Sequence, residues 1–471
     1  MYTLGIDSST QSVKALVWDA EAGKAVASVS VNFGKELPEF NCKDGFLPND
    51  DALVKEADPR LWLAALDKVL LKLKDAFDTS KIDAIGGDGQ QHGSVYLNSS
   101  WKAALSSLSA SQKPSSLVEA FSGVFSRERA PIWMDSSTTA ECRDLDAKFG
   151  KALQERTGSP AIERFTGPQI MKFARNNPAL WTKTERVHLV SSFLCSVLSG
   201  ADAPIDTGDG AGMNLLNLAE MKWDAEICDF TAPCLVSKLP SVALPGEKTT
   251  LALASYFEKY GLRAGIPVVP FTGDNPASLV GTGADKPGVA VISLGTSDTF
   301  FAAMQQFKTD PNGYGHVFGN PSGGCMSLAC FKNGSLAREK VRSLVGCDYK
   351  FFDETSFEMV PMDDRRAFPY FESEITPIHP ATGIEANFDW ESADDAAKVV
   401  SVIRGQIGNM YECTRWIGKF DTIRVTGGAS RSKGIRDTIA AIFSAKVETL
   451  DVPDSAAVGG AILAARALAR A

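Results

Sequence analysis

The sequence predicts an α/β protein built as two large domains, and three observations lead to that class. Two distant stretches read as antiparallel hairpins closed by a short polar turn. The first is Tyr2–Ile6 and Val13–Trp18 around DSSTQS; the second is Gly288–Leu294 and Thr299–Ala303 around GTSD. Each opens a long run in which apolar strands alternate with amphipathic helices. Between them, Val236–Lys248 with Pro240, Pro245 and Gly246 is the strongest break in pattern, which sets the domains at 1–245 and 246–471. A chain of 471 residues can bury a substantial core in each.

Composition removes several classes of function. The 48 basic and 57 acidic residues leave a net charge of −9, against the basic face that a nucleic-acid binder needs. An anionic substrate would have to be met by local donors, loops and metal rather than by the global field. Nine cysteines lie scattered without a C-x-x-C pair, which indicates reduced thiols. Only four histidines occur and none is paired at ligand spacing, so a zinc site is not expected. The start, MYTLGIDSST, runs straight into a strand, and no stretch is long and apolar enough for a bilayer. The expectation is a cytoplasmic protein with no membrane partner.

Taken in order, the first hairpin continues into a third strand, Ala25–Val31. Its turn carries Asp7, Ser8, Ser9, Thr10 and Gln11, whose N–H groups and hydroxyls suit phosphate oxygens. Asp7 adds a carboxylate of the kind that holds Mg²⁺. Asp58 caps a helix begun by Pro59 and running to about Phe77, with Trp62, Leu66, Val69, Leu70 and Leu73 on its apolar face. Ile82–Ile85 is a strand entering GGDGQQHG at Gly86–Gly93, where Gln90, Gln91 and His92 can hydrogen-bond a polyol. The Ser-rich stretch Lys102–Ala130 reads as a surface excursion. Thr138 and Glu141 spell a capping box, with Asp135 just before it. Arg164 precedes the helix signal Pro168, Val187–Leu198 reads as an apolar helix stopped by Gly200, and Ile205–Leu216 as a Gly-rich loop.

The chain is organised around Val268–Gly283, VVPFTGDNPASLVGTG. Val268–Phe271 has the length of a buried strand, Gly273 breaks it, Asn275 is a good N-cap and Pro276 suits the first helical position. Asp274 is thereby placed at a strand-to-helix corner, beside the positive end of a helix. Further on, a helix begins near Ser335, Cys347–Asn387 is irregular, and Ser392 caps a helix from about Asp394 to Trp416. The strand Ile423–Thr426 enters GGAS, where Gly427 and Gly428 let a nucleotide approach the backbone. Val447–Leu450 and a last helix, Ser455–Ala469, follow. Singly, each feature has an ordinary account: a polar turn, a core histidine, an arginine paired with its neighbouring glutamate, a glycine pair serving close packing. Their combination does not.

Together the segments DSSTQSVK, GDGQQHGSVY, APIWMDSSTTAECR, ERFTGPQI, MNLL, FTGDNPASL, SLGTSDTFF, FKNGSLAREK and TGGAS resemble the FGGY carbohydrate kinases, and within them the xylulokinases of eukaryotic type. They occur in family order over nearly the whole length. The resemblance implies an actin-like ATPase fold, two RNase H-like domains with an interdomain cleft, and the reaction ATP + D-xylulose → ADP + D-xylulose 5-phosphate with Mg²⁺. It implies that Gln91, His92, Arg164, Asp274 and Asn275 meet the sugar, with Asp274 as the base. Ser9, Thr10, Gln11, Gly295, Thr296, Gly427, Gly428 and Ser430 would hold the nucleotide, and Asp7 the metal. An aromatic such as Phe351 or Phe352 would stack on the adenine. Two departures stand out: many members have glycine where Ser9 stands, and Cys347–Asn387 matches poorly. A kinase for another ketopentose such as ribulose, or a non-catalytic sugar-sensing protein, are the competing readings; a homodimer is compatible with all three.

Overall fold

The first hairpin forms where the alternation places it. Strands Tyr2–Ser8 and Ser12–Asp19 pair antiparallel, and Lys24–Asn32 adds the third. The computed structural model describes residues 1–246, 250–355 and 364–470. Within that range the chain forms two units. One comprises Met1–Gly281, Phe318–Gly323 and Asp454–Ala471; the other comprises Thr282–Val317 and Gly324–Pro453.

In the first unit, Ile82–Gly89 runs parallel to Tyr2–Ser8 on the side opposite the hairpin partner. Thr272–Gly273 and Pro267–Val268 then pair parallel to Ile82–Gly89, and Leu251–Ala252 closes the sheet edge. The helix Pro59–Ala76, capped by Asp58, buries Trp62, Leu66, Val69, Leu70 and Leu73 as its spacing requires. The last helix, Ser455–Arg470, is read from SAAVGGAILAARALAR, a small-residue stripe that brings backbones together. A Cβ on Gly459 would stand 1.9 Å from the Ala277 carbonyl oxygen, and one on Gly5 1.9 Å from that of Ala457. Neither position can take a larger residue without parting the helix from its neighbours.

The second unit repeats the pattern. Strand Val289–Leu294 pairs antiparallel with Asp298–Met304 and parallel with Thr422–Thr426. The sheet runs His316–Gly319, Cys325–Phe331, Asp298–Met304, Val289–Leu294, Thr422–Thr426, Lys446–Thr449. Helices Ser335–Val345, Asp395–Thr414 and Lys433–Phe443 accompany it.

Several local expectations shift. The units part between Gly281 and Thr282, whereas the punctuation pointed to 245/246. The reason is that Leu251–Gly273 is tied by strand pairing to Ile82–Gly89, and that the final helix returns to the first unit. Glu247 and Lys248, and residues 356–363 of the irregular stretch, lie outside the described residues. Val187–Leu198 divides into a strand, Arg186–Leu189, and a helix, Val190–Ser199, because a buried apolar run does not itself choose between the two. Lys102–Ala130 is not merely surface: Leu105, Leu108, Leu117, Phe121 and Val124 join the core. The capping box fails, since the Thr138 hydroxyl donates to the Glu163 carbonyl instead. Asp394 rather than Ser392 caps its helix, accepting from Ala397 N. Among the described residues, no helix is long and apolar enough to cross a membrane.

Candidate active site

The first unit gathers nine of the proposed site residues, most of them at or just past the ends of adjacent strands, with Arg164 on the turn before helix Thr166–Asn176. Strand register sets one row: Lys14 lies opposite Asp7, Asp7 opposite Asp88, and Asp88 opposite Thr272. Two residues after Thr272 stands Asp274, which is itself the first residue of helix Asp274–Gly281. The helix thus starts two residues before the expected Pro276, and Asp274 Oδ1 accepts from Asn275 N at 2.9 Å and from Asn275 Nδ2 at 3.1 Å. Asn275 Nδ2 also donates to Gln91 Oε1 at 2.9 Å. This clamp gives Asp274 one orientation. Gly273 leaves the space that Gln91 fills, as a Cβ there would come within 2.4 Å of Gln91 Cγ.

His92 sits just beyond, in the left-handed region at φ 70°. Its Nδ1 is 2.8 Å from the Gly212 carbonyl oxygen, which can only accept, so Nδ1 carries the proton and Nε2 is the acceptor. The ring stacks on Phe165 at 4.3 Å between centroids, and Phe318 approaches at 6.3 Å. The Arg164 guanidinium lies over Phe165 at 5.6 Å, which brings Arg164 into the same neighbourhood. The loop after Asp206 packs against this group: a Cβ on Gly212 would meet the His92 ring at 2.9 Å, and one on Gly208 the Thr272 hydroxyl at 2.7 Å.

The electrostatics are unusual because so many carboxyl groups converge. Burial, followed by the charge of Asp7, pushes Asp274 up to about 7. Burial raises Asp206 to about 6 despite two backbone N–H donors. Asp7 is raised by burial, and Asp88 and Asp209 lie well above the usual range from burial and from the neighbouring carboxylates. Asp88 and Asp209 are fully buried. Neither was singled out from the sequence, because each looks like one polar residue in a glycine-rich run.

The turn itself is compact. Ser9 Oγ donates to the Ser12 carbonyl oxygen at 3.0 Å, and Ser9 N donates to the same oxygen at 3.0 Å, so Ser9 closes its own turn. Thr10 Oγ1 accepts from Trp133 Nε1 at 2.8 Å, and Gln11 is exposed.

The second unit holds the other five residues. A pocket of about 280 Å³ is lined by Thr296, Ser335, Leu336, Tyr349, Phe352 and Gly428 among others. Phe352 and not Phe351 is on its wall. Gly427 adopts φ 91° and passes so close to Leu294 that a Cβ would stand 2.4 Å from its carbonyl oxygen. Gly428 has open space on its Cβ side. Ser430 is buried and closes the turn through its N–H to the Gly427 carbonyl oxygen at 3.1 Å, outside the pocket lining.

Two units that each set a polar hairpin turn against a parallel third strand define an actin-like ATPase fold. The sequence profile of the FGGY carbohydrate kinases matches in both halves, the N-terminal domain over residues 128–281 and the C-terminal domain over residues 290–468. Xylulose kinase of Rattus norvegicus is 40% identical, the match covering 99% of this chain and 88% of that protein. Xylulose kinase 2 of Arabidopsis thaliana is 37% identical over 98% of this chain and 86% of that protein. A crystal structure of a xyloylose kinase from Brucella ovis superposes with a TM-score of 0.80 at 25% identity, covering 100% of this chain and 91% of the other. The chain belongs to the FGGY family of carbohydrate kinases.

Proposed function

We propose that this enzyme transfers the terminal phosphoryl group of ATP to D-xylulose, giving D-xylulose 5-phosphate and ADP. The observation that carries the reading is the clamped Asp274, whose carboxyl group is raised to about 7 by burial and by Asp7, just past a strand that pairs with the strand of Asp88, and hydrogen-bonded through Asn275 to Gln91. Phosphoryl transfer asks mainly for alignment and charge neutralisation. Asp274 orients the terminal hydroxyl of the ketose and accepts its proton late in the transfer, when little basicity is needed. His92 Nε2 accepts from one sugar hydroxyl, Arg164 donates to an oxygen of the ketose, and Asn275 and Gln91 hold Asp274 still.

The pocket of the second unit suits a nucleoside, with Phe352 and Leu336 offering apolar wall and Gly428 allowing close backbone approach. The turn hydroxyls and N–H groups of Thr10 and of Gly295–Thr296 suit phosphate oxygens. Mg²⁺ fits the first unit on one test: Asp7 Oδ1 is buried and meets no donor, and Asp7 is only half-buried. Asp7 would hold the cation, which when bound neutralises phosphate charge. The free state of all nine cysteines supports a reducing, cytoplasmic setting.

A coupled ADP-release assay over a panel of pentuloses and polyols tests this. D-xylulose is expected to exceed D- and L-ribulose in kcat/KM by about tenfold or more, the discrimination one lost or misplaced hydrogen bond provides. Equal turnover on several pentuloses would reject D-xylulose as the substrate while leaving a sugar kinase.

A further inference from the structure

Asp88 is a buried carboxyl group to which the reading above gives no part. It lies at the centre of a row of strands, register partner of Asp7 on one side and of Thr272 on the other. Neighbouring strands are about 4.8 Å apart, so the Asp7 and Asp88 carboxyl groups face one another at close range. Asp88 is 0% exposed; its carboxyl group lies within hydrogen-bonding reach of that of Asp7, and neither of its oxygens meets a donor from any other described residue. Asp7 Oδ1 is likewise buried without a donor. Of the charged groups that act on the pair, Asp209, Asp274 and Asp454 are negative, and Lys14 alone is positive. Lys14 is itself paired with Asp454.

Buried acceptors without donors are costly, and in native proteins they commonly mark an ion, a water or a functional role. A single shared proton does not settle the account here. It would give one O–H donor to one acceptor oxygen, satisfying two of the three orphaned oxygens and leaving the third bare. A divalent cation with its bound waters can meet all three, and Mg²⁺ in particular is held by one or two carboxylates together with water and phosphate oxygens. Among the described residues no group of three or more His, Cys, Asp or Glu side chains is placed to hold a metal ion, so the pair alone would supply the protein's ligands. The half-buried Asp7 leaves the pair one open side.

We propose that Asp88 is a second carboxylate for the cation assigned to Asp7, and that the two together bind a divalent cation before any nucleotide is present. The proposal rests on the reading of Asp7 as a cation holder. It adds that cation and sugar sites are coupled through one strand, because Asp88 and Gln91 belong to the same segment.

The test is Mn²⁺ binding to the full chain without nucleotide, followed by loss of the free-ion electron paramagnetic resonance signal, with Mg²⁺ as competitor. Asp88→Asn keeps the shape of a neutral Asp88 and removes its charge. Asp88→Ser removes both and serves if the amide perturbs packing; circular dichroism and a melting curve confirm folding. The expected result is a single Mn²⁺ site in the unaltered protein that Asp88→Asn, Asp88→Ser and Asp7→Asn each weaken by about tenfold or more. Unchanged or tighter Mn²⁺ binding by Asp88→Asn would overturn the proposal, making Asp88 a neutral prop for Asp7. Absence of any Mn²⁺ site at millimolar concentration in the unaltered protein would also overturn it. If Asp7→Asn alone had no effect, the assignment of Asp7 would fail instead. None of these readouts depends on which sugar is phosphorylated.

Discussion

The two hairpins use one design with opposite treatment of charge. In the first unit, Tyr2–Ser8 and Ser12–Asp19 lie against the parallel strand Ile82–Gly89, and Asp7 faces Asp88. In the second, Val289–Leu294 and Asp298–Met304 lie against Thr422–Thr426, and the corresponding pair is Ser293 and Thr426. The second hairpin does carry a buried acid, Asp298, but Arg338 matches it with two bonds of 2.6 and 2.8 Å. Both partners are almost fully buried. The same scaffold thus holds a compensated charge in one copy and an uncompensated group of carboxylates in the other. Paired charge specifies structure in the second unit; the first unit's group of carboxylates is where the proposed cation and proton roles fall.

The sharpest way to break this contrast is to remove the proposed base. Asp274→Ala is expected to lower kcat by about 10²–10⁴-fold, the range for general-base catalysis, with a much smaller change in sugar affinity. Steady-state kinetics together with calorimetric sugar binding separate the two effects. A near-normal kcat would take Asp274 out of the mechanism and return its environment to a matter of packing.

The second comparison concerns stability, where the two buried acids should respond in opposite directions. Arg338→Ala strands Asp298 in the interior and is expected to cost about 3–5 kcal/mol in denaturant unfolding. Asp88→Asn, by contrast, breaks no ion pair and offers amide donors to the neighbouring carboxyl oxygens, so it should raise the melting temperature of the cation-free protein. If both variants destabilised alike, the distinction between paired and unpaired charge would not describe this fold.

The pH dependence follows from the same carboxyl groups. Between the ordinary aspartate value of 3.8 and the raised value of about 7, folded Asp274 binds its proton more tightly than the unfolded chain does. The native state then holds more protons, so stability falls as pH rises through that window. For Asp274 the ceiling is about 4 kcal/mol, at 1.36 kcal/mol for each unit. Asp206, raised to about 6, adds in the same direction between 3.8 and 6. Melting temperature of the cation-free protein should therefore decline from about pH 4 to pH 7, and Asp274→Asn should flatten the slope. Activity should move the other way, with kcat/KM falling below about pH 7 as Asp274 takes up its proton. A melting temperature that instead rose with pH across this range would contradict the direction of these shifts.

What could be read from the chain beforehand depended on whether the relevant contact was local. The Asp274 corner was legible because Gly273, Asp274, Asn275 and Pro276 spell a strand-to-helix junction within four adjacent positions, although the helix begins two residues earlier than the cap preference indicated. Both hairpins were legible for the same reason. Asp88 was not, since its meaning comes from strand register with Asp7 and from complete burial, neither of which a glycine-rich run of eight residues discloses. The unit boundary was displaced because the pairing of Thr272–Gly273 with Ile82–Gly89 and the return of the helix Ser455–Arg470 are contacts between distant parts of the chain. Lys102–Ala130 looked like surface because serines dilute a spacing that Leu105, Leu108, Phe121 and Val124 in fact use to reach the core.

The smallest effect is expected at His92, and it tells most about how the sugar is read. The Gly212 carbonyl fixes the tautomer, Phe165 fixes the ring plane, and Gly212 has no Cβ because one would collide with that ring. So much support for one acceptor atom suits recognition of a single hydroxyl rather than proton transfer. His92→Ala is then expected to raise the sugar KM by about tenfold, the worth of a well-placed hydrogen bond, while kcat changes little. His92→Gln, which can also present an acceptor but lacks the stacked ring, should fall between. Should kcat drop as far as in Asp274→Ala with KM unmoved, His92 would belong with the proton-handling acids. Should neither parameter change, its hydrogen bond and stacking would serve only to hold the loop that carries Asp209.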